Sequence, residues 1–112
     1  GTTHADYFSG DVPCTSDMTS NEILNEYEKE TGKAIVKTFN TKDPLDIPGV
    51  LVKNHGPFTW GKDVVKAVDH SVVLEEIAKM AFLSLSINPD LMMNPALIKK
   101  HYERKHGKDA YY

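Results

Sequence analysis

An apolar stretch from Gly49 to Val52 delivers His55 to a turn bounded by Gly56 and Pro57, followed by Phe58-Thr59-Trp60-Gly61. An imidazole at such a turn has the chemistry of a transition-metal ligand. A catalytic metal needs about three protein ligands plus an open position, and no His-x-His or His-x₃-His spacing near His55 supplies them. His55 therefore reads either as one ligand of a site completed from elsewhere or as a histidine held by a structural hydrogen bond. His101 and Arg104 lie one helical turn apart on one face, where an Arg fork suits phosphate oxygens. The competing reading is a solvated basic helix end that favours the helix dipole. Glu28, within Tyr27-Glu28-Lys29-Glu30, reads from its neighbours as part of a charged helix surface. Taken alone, Asp6 caps a turn and Tyr112 is an exposed terminal residue. His4, His70 and His106 read as structural or exposed, and Cys14 beside Pro13 as packing.

The elements that must position these groups follow from pattern and punctuation. Residues 1–18 are rich in Gly, Thr, Ser, Asp and Pro, which predicts irregular structure with one or two short strands at most. Thr19 with Glu22 forms a capping-box pattern, and apolar residues from Ile23 to Phe39 recur near helical spacing, predicting one helix over roughly 20–39 weakened by Gly32. A turn-rich connector with two prolines spans 40–48, a buried strand is expected at about 49–54, and Phe58-Thr59-Trp60 reads as its short partner. Asp63 can cap a long helix running to about residue 86, whose broad apolar face implies burial on more than one side. Asn88-Pro89-Asp90 breaks the chain. Asn94 as cap, Pro95 at the first helical position and Gly107 beyond the end delimit a last helix near 95–106.

The chain has 112 residues, a formal net charge of -3 and a pI near 5.9. One domain is the ceiling at this length, and no overall basic field favours nucleic acid or an anionic membrane. One cysteine excludes an intrachain disulfide framework and fits a reducing, cytoplasmic compartment. No apolar run approaches the roughly 18 to 20 residues of a membrane span. A mixed α/β pattern with so few strands falls short of the mean sheet of about 5 to 6 strands. The abrupt ends and the solitary His55 give the expectation that this is a portion of a longer fold.

Several stretches resemble one known family. They are Gly1-Thr2-Thr3-His4-Ala5-Asp6-Tyr7-Phe8, Asp11-Val12-Pro13-Cys14-Thr15, Gly49-Val50-Leu51-Val52, His55-Gly56-Pro57-Phe58 with Trp60-Gly61-Lys62, and His101 through Gly107 with Ala110-Tyr111-Tyr112. Together they resemble the C-terminal half of the L-ribulose-5-phosphate 4-epimerases, within the class II aldolase/adducin family. His-Gly-Pro-Phe followed by Trp-Gly is shared widely among the aldolase relatives, whereas the two ends are more particular to the epimerases.

The resemblance implies a three-layer α/β/α fold of which residues 1–112 form the later part, the N-terminal half being absent. It implies a homotetramer with sites at subunit interfaces and Zn²⁺ as cofactor, with His55 as its third histidine ligand and a His-x-His pair in the preceding half. Manganese or cobalt would suit the same ligands. The implied reaction inverts C4 of L-ribulose 5-phosphate by breaking and remaking a carbon–carbon bond, because that carbon carries no acidic C–H. Asp6 and Tyr112 match the family's acid/base pair, the tyrosine reaching across from a neighbouring subunit. His101 and Arg104 match positions near the substrate, and Glu28 a carboxylate near the metal. Lys53 and Asn54 depart from the family's usual residues before the histidine. The portion alone is expected to be inactive. Two other readings remain: a class II sugar-phosphate aldolase, which cleaves without rejoining, and a non-catalytic adducin-like oligomerisation module.

Overall fold

A computed structural model describes residues 1–110. Its elements run α1 (Thr2–Tyr7), α2 (Ser20–Leu24), α3 (Tyr27–Thr38), β1 (Gly49–Val52), β2 (Gly56–Thr59), α4 (Val64–Ile87) and α5 (Pro95–His106). The chain is thus mixed α/β, five helices around one hairpin among the described residues.

The hairpin is the structural reference for everything else. β1 and β2 pair antiparallel from Gly49↔Thr59 to Val52↔Gly56, so Lys53, Asn54 and His55 form a three-residue loop of the kind that requires a left-handed residue. Asn54 takes that position with φ 64°, and Gly56 follows at φ 133°, a conformation that a Cβ would strain. The segment around Cys14 adds a short parallel bridge to β1: Leu51 N–H donates to the Pro13 carbonyl and Thr15 N–H to the Leu51 carbonyl, each at 2.9 Å. Thr59 Oγ donates to the Ala67 carbonyl of α4 at 2.9 Å. One side of the hairpin is thereby tied to the long helix.

Phe8, Ile47, Leu74 and Ile77 make the buried cluster, joined by Val50 and Val52 among the buried residues. Phe8 comes from the end of α1 and packs beside Gly49, where a Cβ would stand at an ordinary contact distance of 3.5 Å from the Phe8 ring. The burial of Phe8 and Ala5, with the 2.7 Å bond of His4 Nε2 to the Gly10 carbonyl, explains why a helix forms where β-branched and polar residues predicted none. α1 has no side-chain cap. Its partners are tertiary, which propensity does not register.

The helix expected over 20–39 is two helices. Thr19 and Glu22 do form the capping box, but the break falls at Asn25 and Glu26 rather than at Gly32, which sits inside α3 with open space around it. Asn25 Nδ2 donates to both the carbonyl and Oδ1 of Asn21, at 2.7 and 2.8 Å. Local side-chain bonding of this type competes with helix propagation. Cys14 is exposed rather than packed.

α4 begins and α5 begins and ends as punctuated. Asp63 accepts from Lys66 N–H, Asn94 accepts from Ala96 N–H, and Gly107 N–H closes α5 on the Glu103 carbonyl at 2.7 Å. The breadth of the apolar face of α4 is not matched by burial within the chain: only Leu74 and Ile77 are buried, while Val64, Val65, Val72 and Phe82 are more than half exposed. Among the described residues no helix is long and apolar enough to cross a membrane.

Candidate functional site

α5 buries no residue, so polar contacts fix its position on α1. The centre of those contacts is Asp6. His101 Nδ1–H donates to Asp6 Oδ1 at 2.9 Å, Arg104 Nη2–H donates to the same oxygen at 3.4 Å, and Lys105 Nζ lies 4.0 Å from Oδ2. His106 Nε2–H donates to the Asp6 carbonyl at 2.8 Å. The Asp6 side chain is only 14% exposed. Because a carboxylate oxygen only accepts, the His101 proton sits on Nδ1, leaving Nε2 as the other ring nitrogen of a nearly buried imidazole.

This arrangement divides the carboxylate. Oδ1 is occupied by two donors, whereas the contact to Oδ2 is longer than a hydrogen bond. An oriented carboxylate with one oxygen retaining acceptor capacity can take up and return a proton. Helical spacing had linked His101 with Arg104, and the structure brings both to Asp6 from 95 and 98 residues away. Their direct bond to the carboxylate was not legible from sequence. Lys105, four residues from His101, lies on the same helical face.

Asp6 also lines a cleft of about 590 Å³ with Tyr7, Trp60, Lys66, His70 and Lys105 among its walls. His70 is not merely an exposed histidine. Its Nδ1–H donates to the Trp60 carbonyl at 2.7 Å, and its ring meets Tyr7 and Phe8 edge-on or tilted at 6.4 and 6.3 Å. The signal for it was its spacing of four and seven residues from the buried Leu74 and Ile77.

α5 has a second attachment. Tyr102 Oη–H donates to Asp46 Oδ1 at 3.0 Å, and the Tyr102 ring stacks on His106 at 4.4 Å. Burial, then the bond to Asp46, pushes the Tyr102 phenol up to about 12.

His55 lies elsewhere, exposed at the hairpin tip, with its ring stacked on Phe58 at 5.2 Å and 17°. Neither ring nitrogen is hydrogen-bonded among the described residues. Asp6 stands at the opposite, open end of the hairpin, where Pro48 and Trp60 border its cleft. Four residues per strand at about 3.3 Å each put the hairpin's full length between the two ends. Glu28 is exposed in the first turn of α3. Among the described residues no three His, Cys, Asp or Glu side chains gather as a metal site. The donors among the described residues therefore do not make a complete site. Tyr112 lies outside the described residues.

Residues 1–82 match the family model described as the class II aldolase and adducin N-terminal domain. The match takes in Asp6, the hairpin with His55 and most of α4, while α5 with His101 and Arg104 follows it. The chain belongs to the class II aldolase and adducin family.

Proposed function

We propose that this chain is the later half of a cytoplasmic enzyme that inverts C4 of L-ribulose 5-phosphate, giving D-xylulose 5-phosphate by retro-aldol cleavage and re-addition. The observation that carries the reading is Asp6, a nearly buried carboxylate with Oδ1 held by His101 and Arg104 beside an open cleft.

Cleavage between C3 and C4 requires the C4 hydroxyl to lose its proton, and re-addition on the opposite aldehyde face requires the new alkoxide to regain one. Asp6 serves one face. Tyr112, by its match to the epimerases, serves the other. His101 fixes the carboxylate's orientation, and Arg104 adds positive charge beside it. Class II aldolases commonly use a divalent metal, and Zn²⁺, when bound, would supply Lewis-acid stabilisation for the charge that develops on cleavage. His55 would hold it together with ligands outside the described residues, and a place for Glu28 near it rests on the match to the epimerases alone.

The separation of Asp6 from His55 favours a site formed between copies, one copy's hairpin tip meeting the α1–α5 end of another in a homotetramer. Incubating the full-length protein with L-ribulose 5-phosphate tests the reading. D-Xylulose 5-phosphate is the expected product. Accumulation of free glycolaldehyde phosphate would make the protein an aldolase instead, and no turnover of a metal-loaded, folded sample would favour an assembly role.

A further inference from the structure

Within the chain α4 packs on α1, β1 and β2. It does so through the buried Leu74 and Ile77, with Ala67, His70 and Val73 half-buried beside them. At 3.6 residues per turn these residues define one side of the helix. The opposite side carries Val65, Val68, Val72, Glu75, Lys79, Phe82 and Ser86, all exposed. Their spacing alternates three and four residues without interruption, which is the a and d pattern of a coiled-coil seam sustained over about three heptads. Such a seam runs about 33 Å at 1.5 Å per residue. Val64, Leu83 and Leu85 flank it and are exposed too.

Exposed apolar surface of this length marks an interaction site, and the two central positions specify the partner. Glu75 occupies a d position and Lys79 the next a position, between Val72 and Phe82. Charges inside an otherwise apolar seam cost stability unless the partner pairs them, and in return they fix register and orientation. A second copy running parallel would set Glu75 against Glu75 and Lys79 against Lys79, which repel. A second copy running antiparallel about a two-fold axis level with Ile77 sets Glu75 against Lys79 twice. The same axis puts Val72 against Phe82 and Val68 against Ser86, so every layer pairs an a with a d residue. The ion pair that α4 makes within the chain, Lys66 with Asp69 at 3.6 Å, lies off the seam.

We propose that α4 pairs antiparallel with α4 of a second copy of this chain, in an isologous contact whose register is set by two reciprocal Glu75–Lys79 ion pairs. No seam residue lines the Asp6 cleft or belongs to the hairpin. The contact is therefore additional to the one between a hairpin tip and an α1–α5 end, and it does not rest on the reaction proposed above. A protein without epimerase activity would still pair through α4, and loss of pairing would leave the reading of Asp6 intact.

Sedimentation equilibrium of the full-length protein tests the pairing. Glu75→Lys and Lys79→Glu, each at an exposed position, should keep the wild-type circular dichroism, weaken self-association roughly tenfold or more and halve the assembly mass. The double variant Glu75→Lys with Lys79→Glu restores opposite charges across the axis and should recover the wild-type mass. Disulfide trapping reads the register on a Cys14→Ser background, which removes the one cysteine of the sequence. Val72→Cys with Phe82→Cys should give a covalent dimer on oxidation. Val72→Cys alone should give none, because the two copies of that residue lie about 15 Å apart along the axis, beyond disulfide reach. Unchanged mass in the folded single variants is the result expected if another stretch of the same polypeptide covers the seam, and it would overturn the proposal. So would a double variant that fails to recover the mass, paired cysteines that give no covalent dimer, or trapping by Val72→Cys alone.

Discussion

His101 Nδ1–H meets Asp6 Oδ1 at 2.9 Å across 95 residues of chain. The bond joins α5, which has no buried residue, to α1, whose Ala5 is buried beside the core. One carboxylate therefore both anchors the last helix and faces the cleft.

If His101 orients Asp6, removing its donor should lower kcat more than it raises KM. His101→Ala in the full-length protein is expected to lose roughly tenfold in kcat. His101→Gln, which keeps a donor, should recover part of it. A pH–rate profile that changes shape in the alanine variant and not in the glutamine variant separates orientation from simple destabilisation.

The hairpin tip gives a cleaner case. His55 is exposed and its ring touches only Phe58 among the described residues, so His55→Ala should alter stability by no more than about 0.5 kcal/mol. Metal content of the full-length protein should nevertheless fall, with affinity reduced by roughly tenfold or more. Equal metal content in variant and wild type would remove His55 from the ligand set.

Alkaline titration probes the second attachment of α5. The Tyr102 phenol is raised from 10.0 to about 12 in the folded chain, so the folded state holds this proton more tightly than the unfolded state. Its contribution to stability is complete below pH 10 and is lost as the pH rises from 10 towards 12. Hydrogen exchange in α5 should accelerate across that window in the wild type. Tyr102→Phe should exchange faster at neutral pH and show a smaller increase between pH 10 and 12.

Gly61 is the tightest approach along the cleft. Gly61→Ala forces its Cβ against Lys66 Cβ and the Ala67 backbone, where backbone has to move, and should cost about 1 to 3 kcal/mol. A fall in Tm together with altered Trp60 emission is the expected reading.

Punctuation residues were the legible part of this chain. Asp63, Asn94, Pro95 and Gly107 bounded α4 and α5 because caps act locally. α1 is not legible locally because Ala5, Phe8 and the His4 bond to Gly10 stabilise it through contacts outside the helix. The break at Asn25 departs from the expected single helix because side-chain bonding to Asn21, and not glycine, accompanies the interruption. Within the candidate site, spacing related His101 to Arg104, and resemblance singled out Asp6. Their meeting depends on how α5 lies across α1, which no local pattern encodes. The bond of His70 to Trp60 is illegible for the same reason, since a 2.7 Å contact between α4 and the residue after β2 is a tertiary event.

The role of Asp6 in proton transfer is tested most directly by Asp6→Asn in the full-length protein, assayed for conversion of L-ribulose 5-phosphate to D-xylulose 5-phosphate. Asparagine keeps an oxygen acceptor for His101 and Arg104, so Tm, oligomeric state and metal content should stay close to wild type. Activity should fall by about 10² to 10⁴. A folded, metal-loaded Asp6→Asn enzyme working within about twofold of wild type would contradict the assignment.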